Sequence, residues 1–399
     1  MLLLVVLLLL PVPSMAATYY VATTGNDTTG DGSIGTPWRT VQKAANTVVA
    51  GDTVNVRAGN YQEYVTMPSS RNGTVDNRIT FQSYPGETAV IDGSLVSAPT
   101  TFSFLVRISG DYITFRNFEV VHSAWMGILL DSTSTNLIIE GNTVHHTYRA
   151  AVAVYRSPNA IVRYNTIYDA YDIVTGGQNA DCLVNTDDGA GWTANGQWYG
   201  NVVHDCSDDG IDAWQGANTV ITDNISYHNG YIPFTETAAG DGNGFKLGPG
   251  GGNTVVDNIA WNNRVRGYDD NTGPNDLIYN NTAINSGVNY RVTNGTGAIL
   301  KNNISSSGSV SIGTGATLET NSWNIPVTPT YVQITDPTLS TFAELDSGSP
   351  AIGVGTTVAG NTHNCIDTCD LGAKEFNSGG PEPSGPQGTQ PFSPLINIH

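Results

Sequence analysis

Between residues 113 and 303 the chain repeats one pattern, a short run in which apolar, mostly β-branched residues alternate with polar ones and which closes on an asparagine. The runs are 113–117, 137–142, 161–165, 198–201, 220–224, 255–258, 277–281 and 300–303. They end at Asn117, Asn142, Asn165, Asn201, Asn224, Asn258, Asn281 and Asn303, with steps of 25, 23, 36, 23, 34, 23 and 22 residues. Alternation with a period of two marks strands, and self-similarity at a fixed spacing marks a solenoid of stacked units. The two long steps are the same unit with about a dozen inserted residues. The expected fold is all-β, a right-handed parallel β-helix, with each asparagine at a tight corner. Asparagine tolerates the left-handed backbone there, and its amides can stack from coil to coil. A leucine-rich repeat has a similar period, but its consensus leucines are absent.

The pattern changes at both ends. Val41, Ala44, Ala45 and Val48 form an apolar stripe at helical spacing, which predicts an N-terminal helix capping the open end of the solenoid. Residues 377–399 are rich in Gly, Pro, Ser and Gln and read as a flexible tail. Residues 1–17 read as a signal peptide, an apolar stretch followed by Pro11, Pro13 and Ser14-Met15-Ala16. That stretch is too short to span a bilayer, so a secreted, soluble protein with one catalytic domain over 18–376 is expected, and no membrane association.

Composition narrows the class of partner. Only 13% of residues are charged and the formal net charge is −19. Nucleic acid is excluded as a partner, because phosphate neutralisation needs clustered Lys and Arg. An acidic polymer would need a cation as a bridge. The four cysteines include no Cys-x-x-Cys pair and, in an exported chain, point to disulfides. Cys365 with Cys369 would close a small loop, and Cys182 with Cys206 would tie neighbouring coils. The expected state is a monomer.

The asparagines also set the register of the coils. Twelve positions before Asn165, Asn224, Asn258, Asn281 and Asn303 stand Ala153, Asp212, Lys246, Asp269 and Arg291. One position earlier stand Val152, Ile211, Phe245, Tyr268 and Tyr290, an inward apolar stack, so alternation sends the charged column to solvent. Alone, the column reads equally well as a ladder of opposite charges, worth about 0.2–1 kcal/mol per pair. Neighbouring acids change this picture. Aligning Asp181-Cys182-Leu183 with Asp209-Gly210-Ile211 brings Asp181 beside Asp208, Asp209 and Asp212. Four carboxylates so placed repel one another unless a cation sits among them, and an oxygen-only donor set at a turn favours calcium. Only four lysines occur in the chain, and Lys246 lies one coil beyond this cluster.

These strings resemble the family 9 polysaccharide lyases, the pectate-lyase group built on a parallel β-helix. The matching residues are Asn-Ala-Asp at 179–181, Asp-Asp-Gly-Ile-Asp at 208–212, Gly-Asn-Gly-Phe-Lys-Leu-Gly at 242–248 and Gly-Tyr-Asp-Asp-Asn at 267–271. The resemblance implies calcium held by Asp181, Asp208, Asp209 and Asp212, and Lys246 as the base that starts β-elimination in an acidic polysaccharide such as polygalacturonate. In a 4-linked uronate a metal on the carboxylate acidifies the C5 proton. Lys246 must be neutral to take it, so an alkaline optimum is expected. Arg266, Arg291, Asp269 and Trp214 are expected to contact substrate, the arginines through bidentate pairing with carboxylates and Trp214 by stacking on a sugar ring. Arg264 is a weaker candidate for the same clamping role.

Two other classes compete. A polygalacturonase-type hydrolase would find its acids in Asn185-Thr186-Asp187-Asp188, although no Gly-His-Gly or Arg-x-Lys follows. A non-catalytic, glycan-binding β-helix would use calcium only to brace a turn. Sequons stand at Asn26, Asn72, Asn224, Asn280, Asn294 and Asn303.

Overall fold

The computed structural model describes residues 16–95, 104–131, 134–186, 193–358, 369–374 and 376. Three long sheets run the length of the molecule. The first has twelve strands, from Thr18–Val21 to Thr317–Glu319; the second has ten, from Gly59–Tyr61 to Ile304–Ser306; the third has ten, from Val65–Met67 to Ser309–Ile312. In the repeating body each coil gives one short strand to each sheet and pairs in parallel with the coils before and after it, as in Val220–Thr222, Ile225–Tyr227 and Asn243–Leu247. The fold is the expected right-handed parallel β-helix. Its interior is a continuous apolar core in which Phe245, Tyr268 and Tyr290 stack with centroids 4.8 Å apart.

The asparagine ladder is real, with two corrections. Each Nδ2 donates to the Oδ1 of the next coil's asparagine, at 3.1 Å from Asn142 to Asn165, 3.0 Å to Asn201, 2.9 Å to Asn224 and 2.9 Å to Asn258. It continues through Asn281 and Asn303 to Asn321, which the repeat spacing did not reveal because that step is only 18 residues. Asn117 does not belong. Strand register sets Phe115 beside Ile139 and Arg116 beside Glu140, so Phe118 occupies the ladder position and its amide donates to Asn142. A second proton of each amide reaches a main-chain carbonyl, as from Asn224 to Trp198 at 2.9 Å, so the buried stack is self-satisfied. Burial in or beside this ladder removes Asn224, Asn280 and Asn303 from the accessible sequons.

Both ends of the core are closed. The capping helix is short, Val41–Ala45, with Thr40 accepting from the Lys43 amide and Glu63 accepting from the Val41 and Gln42 amides. Val41, Ala44, Ala45 and Val48 are buried as their spacing predicted. At the other end Trp323 lies against Tyr290, 4.9 Å between ring centroids. The following residues turn back, and Phe342 packs with Trp261, Ile259 and Ile284 on the outer face of the second sheet. Among the described residues no helix is long and apolar enough to cross a membrane. Residues 1–15 of the expected signal peptide, the tail 377–399 and Cys365 lie outside the described residues.

Candidate active site and metal centre

The third sheet carries the charged column in the register that the asparagines set. Ala153, Val184, Asp212, Lys246, Asp269 and Arg291 are successive partners, and Val184 fills the place that the first insertion obscured. The column points away from the core but not into solvent. Asp212 is 6% and Asp269 2% exposed, and the Lys246 side chain 13%. Trp214 and the inserted segment flank it. Trp214 lies with its ring centroid 5.4 Å from Lys246 Nζ, and Asp241, at the end of the segment 228–242, comes within 3.4 Å of the same atom.

Asp181, Asp208 and Asp209 precede their strands at one corner and converge. One carboxylate oxygen from each lies within 4.8 Å of the other two, and all three side chains are buried. Asp212 is not part of this trio; its Oδ2 is 3.1 Å from Lys246 Nζ and its Oδ1 accepts from the Trp214 amide. The trio is held by donors on neighbouring coils. Asp208 accepts from the amides of Asn179 at 2.7 Å and Asp241 at 2.6 Å. Asp209 accepts from Asn243 through its amide and its side chain, and from Lys246 Nζ at 2.9 Å. Beside it, Cys182 and Cys206 form the expected disulfide, with Cα atoms 5.6 Å apart, which fixes two coils together under the acids.

The electrostatics follow from this crowding. Burial, then the charges of Asp208 and Asp212, push Asp181 well above the usual carboxylate range. Asp208 is raised to about 7 by burial and by Asp209, and Asp212 to about 7 by burial, which the Lys246 charge offsets only in part. Burial works to lower Lys246, but Asp212, Asp209 and Asp181 overcome it and raise its pKa above the ordinary lysine value. Acceptor-only oxygens with raised affinity for positive charge are the donor set a hard divalent cation fits.

The other expected residues form the next layer. Arg291 makes a two-point pair with Asp269, Nε to Oδ1 at 2.5 Å and a terminal nitrogen to Oδ2 at 2.8 Å. Arg266 bridges Asn243 at 3.1 Å and Asp269 at 3.6 Å. Arg264 turns away to the carbonyls of Gly230, Ala239 and Gly240 and anchors the covering segment. Asp241 and Asn243 were missed as site residues, the first because it ends an insertion without periodicity, the second although it stands in the Gly-Asn-Gly-Phe-Lys string. Asn185 faces inward in the column of Val154 and is buried, while Asp187 and Asp188 lie outside the described residues.

The profile described as "Pel9A-like, right handed beta helix region" matches residues 19–303. The chain belongs to this family. The resemblance to family 9 polysaccharide lyases read from the motifs is thereby borne out. Among similar proteins, pectate lyase PEL9 of Emericella nidulans is 27% identical over 337 residues, covering 72% of this chain and 79% of the relative. Pectate lyase L of Dickeya chrysanthemi is 27% identical, covering 77% and 75%. The crystal structure of pectate lyase Pel9A superposes with a TM-score of 0.79 at 24% identity, covering 91% of this Pel9A-like chain and 97% of that one. A rhamnogalacturonan lyase superposes with a TM-score of 0.70 at 22% identity, covering 83% and 97%. At those identities the two superpositions speak for the fold.

Proposed function

We propose that this polysaccharide lyase is a calcium-dependent enzyme that cleaves a 4-linked polyuronate of the polygalacturonate kind by β-elimination. The observation that carries the reading is the convergence of three buried carboxylates beside the single ammonium of Lys246. Asp181, Asp208 and Asp209 would hold the ion, with Asp212 completing the set on the side of Lys246. Calcium, when bound, supplies positive charge against the substrate carboxylate and so acidifies the adjacent C5 proton.

Lys246 takes that proton on Nζ. The C5–H electron pair becomes the C4–C5 double bond as the bond to the 4-oxygen breaks, and the departing oxygen is reprotonated without net consumption of water. The acids keep Lys246 protonated while their charge is uncompensated, so it becomes a competent base only when the trio is neutralised and the pH is alkaline. Arg266 and Arg291, tethered by Asp269, are placed to engage further uronate carboxylates, and Trp214 to border the sugar at the cleavage point. The apolar N-terminus and the Cys182–Cys206 disulfide support export to an oxidising compartment.

Incubating the purified chain with polygalacturonate, with chelator and with restored calcium, tests this. Unsaturated product ends that appear only with calcium support the proposal. New reducing ends without unsaturation would indicate a hydrolase, and an unchanged polymer length a binding scaffold.

A further inference from the structure

A different corner of the same coils buries a second set of carboxylates. Asp270 ends the strand Arg266–Asp270 on the inward side, between Leu247 and Val292, a position the neighbouring coils fill with apolar side chains. It is 1% exposed, and Asp276, directly after the five-residue turn 271–275, is fully buried. Neither oxygen of Asp270 has a hydrogen-bond partner, nor does Oδ2 of Asp276; only Asp276 Oδ1 is satisfied, by the amide and side chain of Asn253 at 2.7 and 3.1 Å. Three acceptor oxygens sealed from water and left unpaired would cost several kcal/mol if nothing answered them.

The surroundings supply more oxygen, and among the described residues no cationic side chain acts on either acid. A β-carbon on Gly273 would lie 2.4 Å from Asp276 Oδ2 and 2.7 Å from the Gly248 carbonyl oxygen, so a carboxylate and a main-chain carbonyl meet at this glycine. Its amide faces Asp270 closely enough to lower the pKa, although no hydrogen bond of normal geometry forms. Burial, then the charge of Asp276, raises Asp270 to about 8, and burial raises Asp276 to about 6.

We infer that Asp270 and Asp276 hold a second divalent cation of the calcium type, apart from the trio, which braces the turn 271–275. Oxygen donors alone select a hard ion, and a buried corner that mixes carboxylates with main-chain carbonyls suits the flexible coordination of calcium. The turn leads from the strand of Asp269, and Asn271 within it accepts from Arg291 at 3.3 Å, so the brace would stiffen the end of the charged column.

Native mass spectrometry and calorimetry of the full chain at about pH 8 test this without substrate, so the result is independent of the lyase reading. The wild type should bind one calcium ion more than either Asp270→Asn or Asp276→Asn, two in all when the trio is also filled. Each variant should lose at least about half of the calcium-induced gain in Tm, and keep the wild-type kcat in saturating calcium. In chelator Asp270→Asn should melt no lower than the wild type, since it removes an unpaired charge. Equal ion counts in wild type and Asp270→Asn, or an undiminished gain in Tm, would overturn the inference and leave a shared proton at the corner. Should both variants fail to fold, Asp181→Asn decides: one ion retained with an affinity unchanged from the wild type supports the site, and none overturns it.

Discussion

The asparagine ladder and the carboxylate trio are built by the same rule and behave oppositely. Both set like side chains on registered coils and bury them. An amide carries donor and acceptor together, so Asn142 through Asn321 satisfy one another and the main chain, and the stack needs nothing from outside. A carboxylate only accepts. The acids Asp181, Asp208 and Asp209 therefore take every nearby donor, hold Lys246 as an ammonium, and still carry uncompensated charge. In this solenoid a change of one atom per side chain, nitrogen to oxygen, separates scaffold from site.

The largest expected effect lies at Lys246. Lys246→Ala should cut turnover by roughly 10²–10⁴ or more, the worth of a general base. In saturating calcium its Tm should stay close to wild type, because the ion would offset the acids that Lys246 otherwise pairs and Phe245 and Leu247 hold the strand from inside. Lys246→Arg should be equally inactive, since guanidinium does not release its proton near neutral pH. Release of unsaturated ends by either variant at wild-type rate would break the distinction between base and anchor.

Neutralising one acid comes next. Asp181→Asn should weaken calcium activation by at least ~10–100-fold, yet in chelator the protein should be no less stable, because a repelled carboxylate has become an amide. A calcium titration of activity and a melting curve in chelator read the two parts separately. The ladder should give the reverse. Asn224→Ala leaves a gap in a self-satisfied stack and should cost about 1–3 kcal/mol, seen as a lower urea midpoint, with kcat and calcium requirement per folded molecule unchanged.

The smallest effect is at a pair that combines donor and charge. Asp205 hydrogen-bonds His228 at 2.6 Å and raises its pKa against the pull of burial. A raised folded-state value contributes stability in full below the unfolded value, about 6.5, and loses it as pH rises through the folded one. His228→Asn should thus cost at most about 1 kcal/mol near pH 5.5 and progressively less above neutrality. A gap between the melting curves that widened with pH would contradict this.

Much of this was legible because the corner asparagines measure the coil. Counting from them placed Asp212, Lys246, Asp269 and Arg291 in one column exactly as the strands pair, and set Asp181 against Asp209. The same spacing put Cys182 and Cys206 on adjacent coils. Counting failed where the chain stops repeating. The segment 228–242 has no period, so neither the burial of the column nor the approach of Asp241 to Lys246 was foreseeable. Asn117 was misplaced by one residue because an aromatic, Phe118, stands at the true ladder position. Asp270 went unread because alternation assigns its position to an apolar side chain.

The closed ends of the solenoid bear on how the protein remains a discrete particle. A stack of parallel coils has no intrinsic length, since each layer meets only the next, and its last strands offer rows of unpaired amides and carbonyls to any similar surface. The helix Val41–Ala45 sits over one such surface and Trp323 over the other. Terminal caps of this kind keep a solenoid's ends from stacking on another copy. A chain that lost the N-terminal cap would display a template matching the tail end of another copy, and head-to-tail filaments, rather than simple unfolding, would be the characteristic form of its failure.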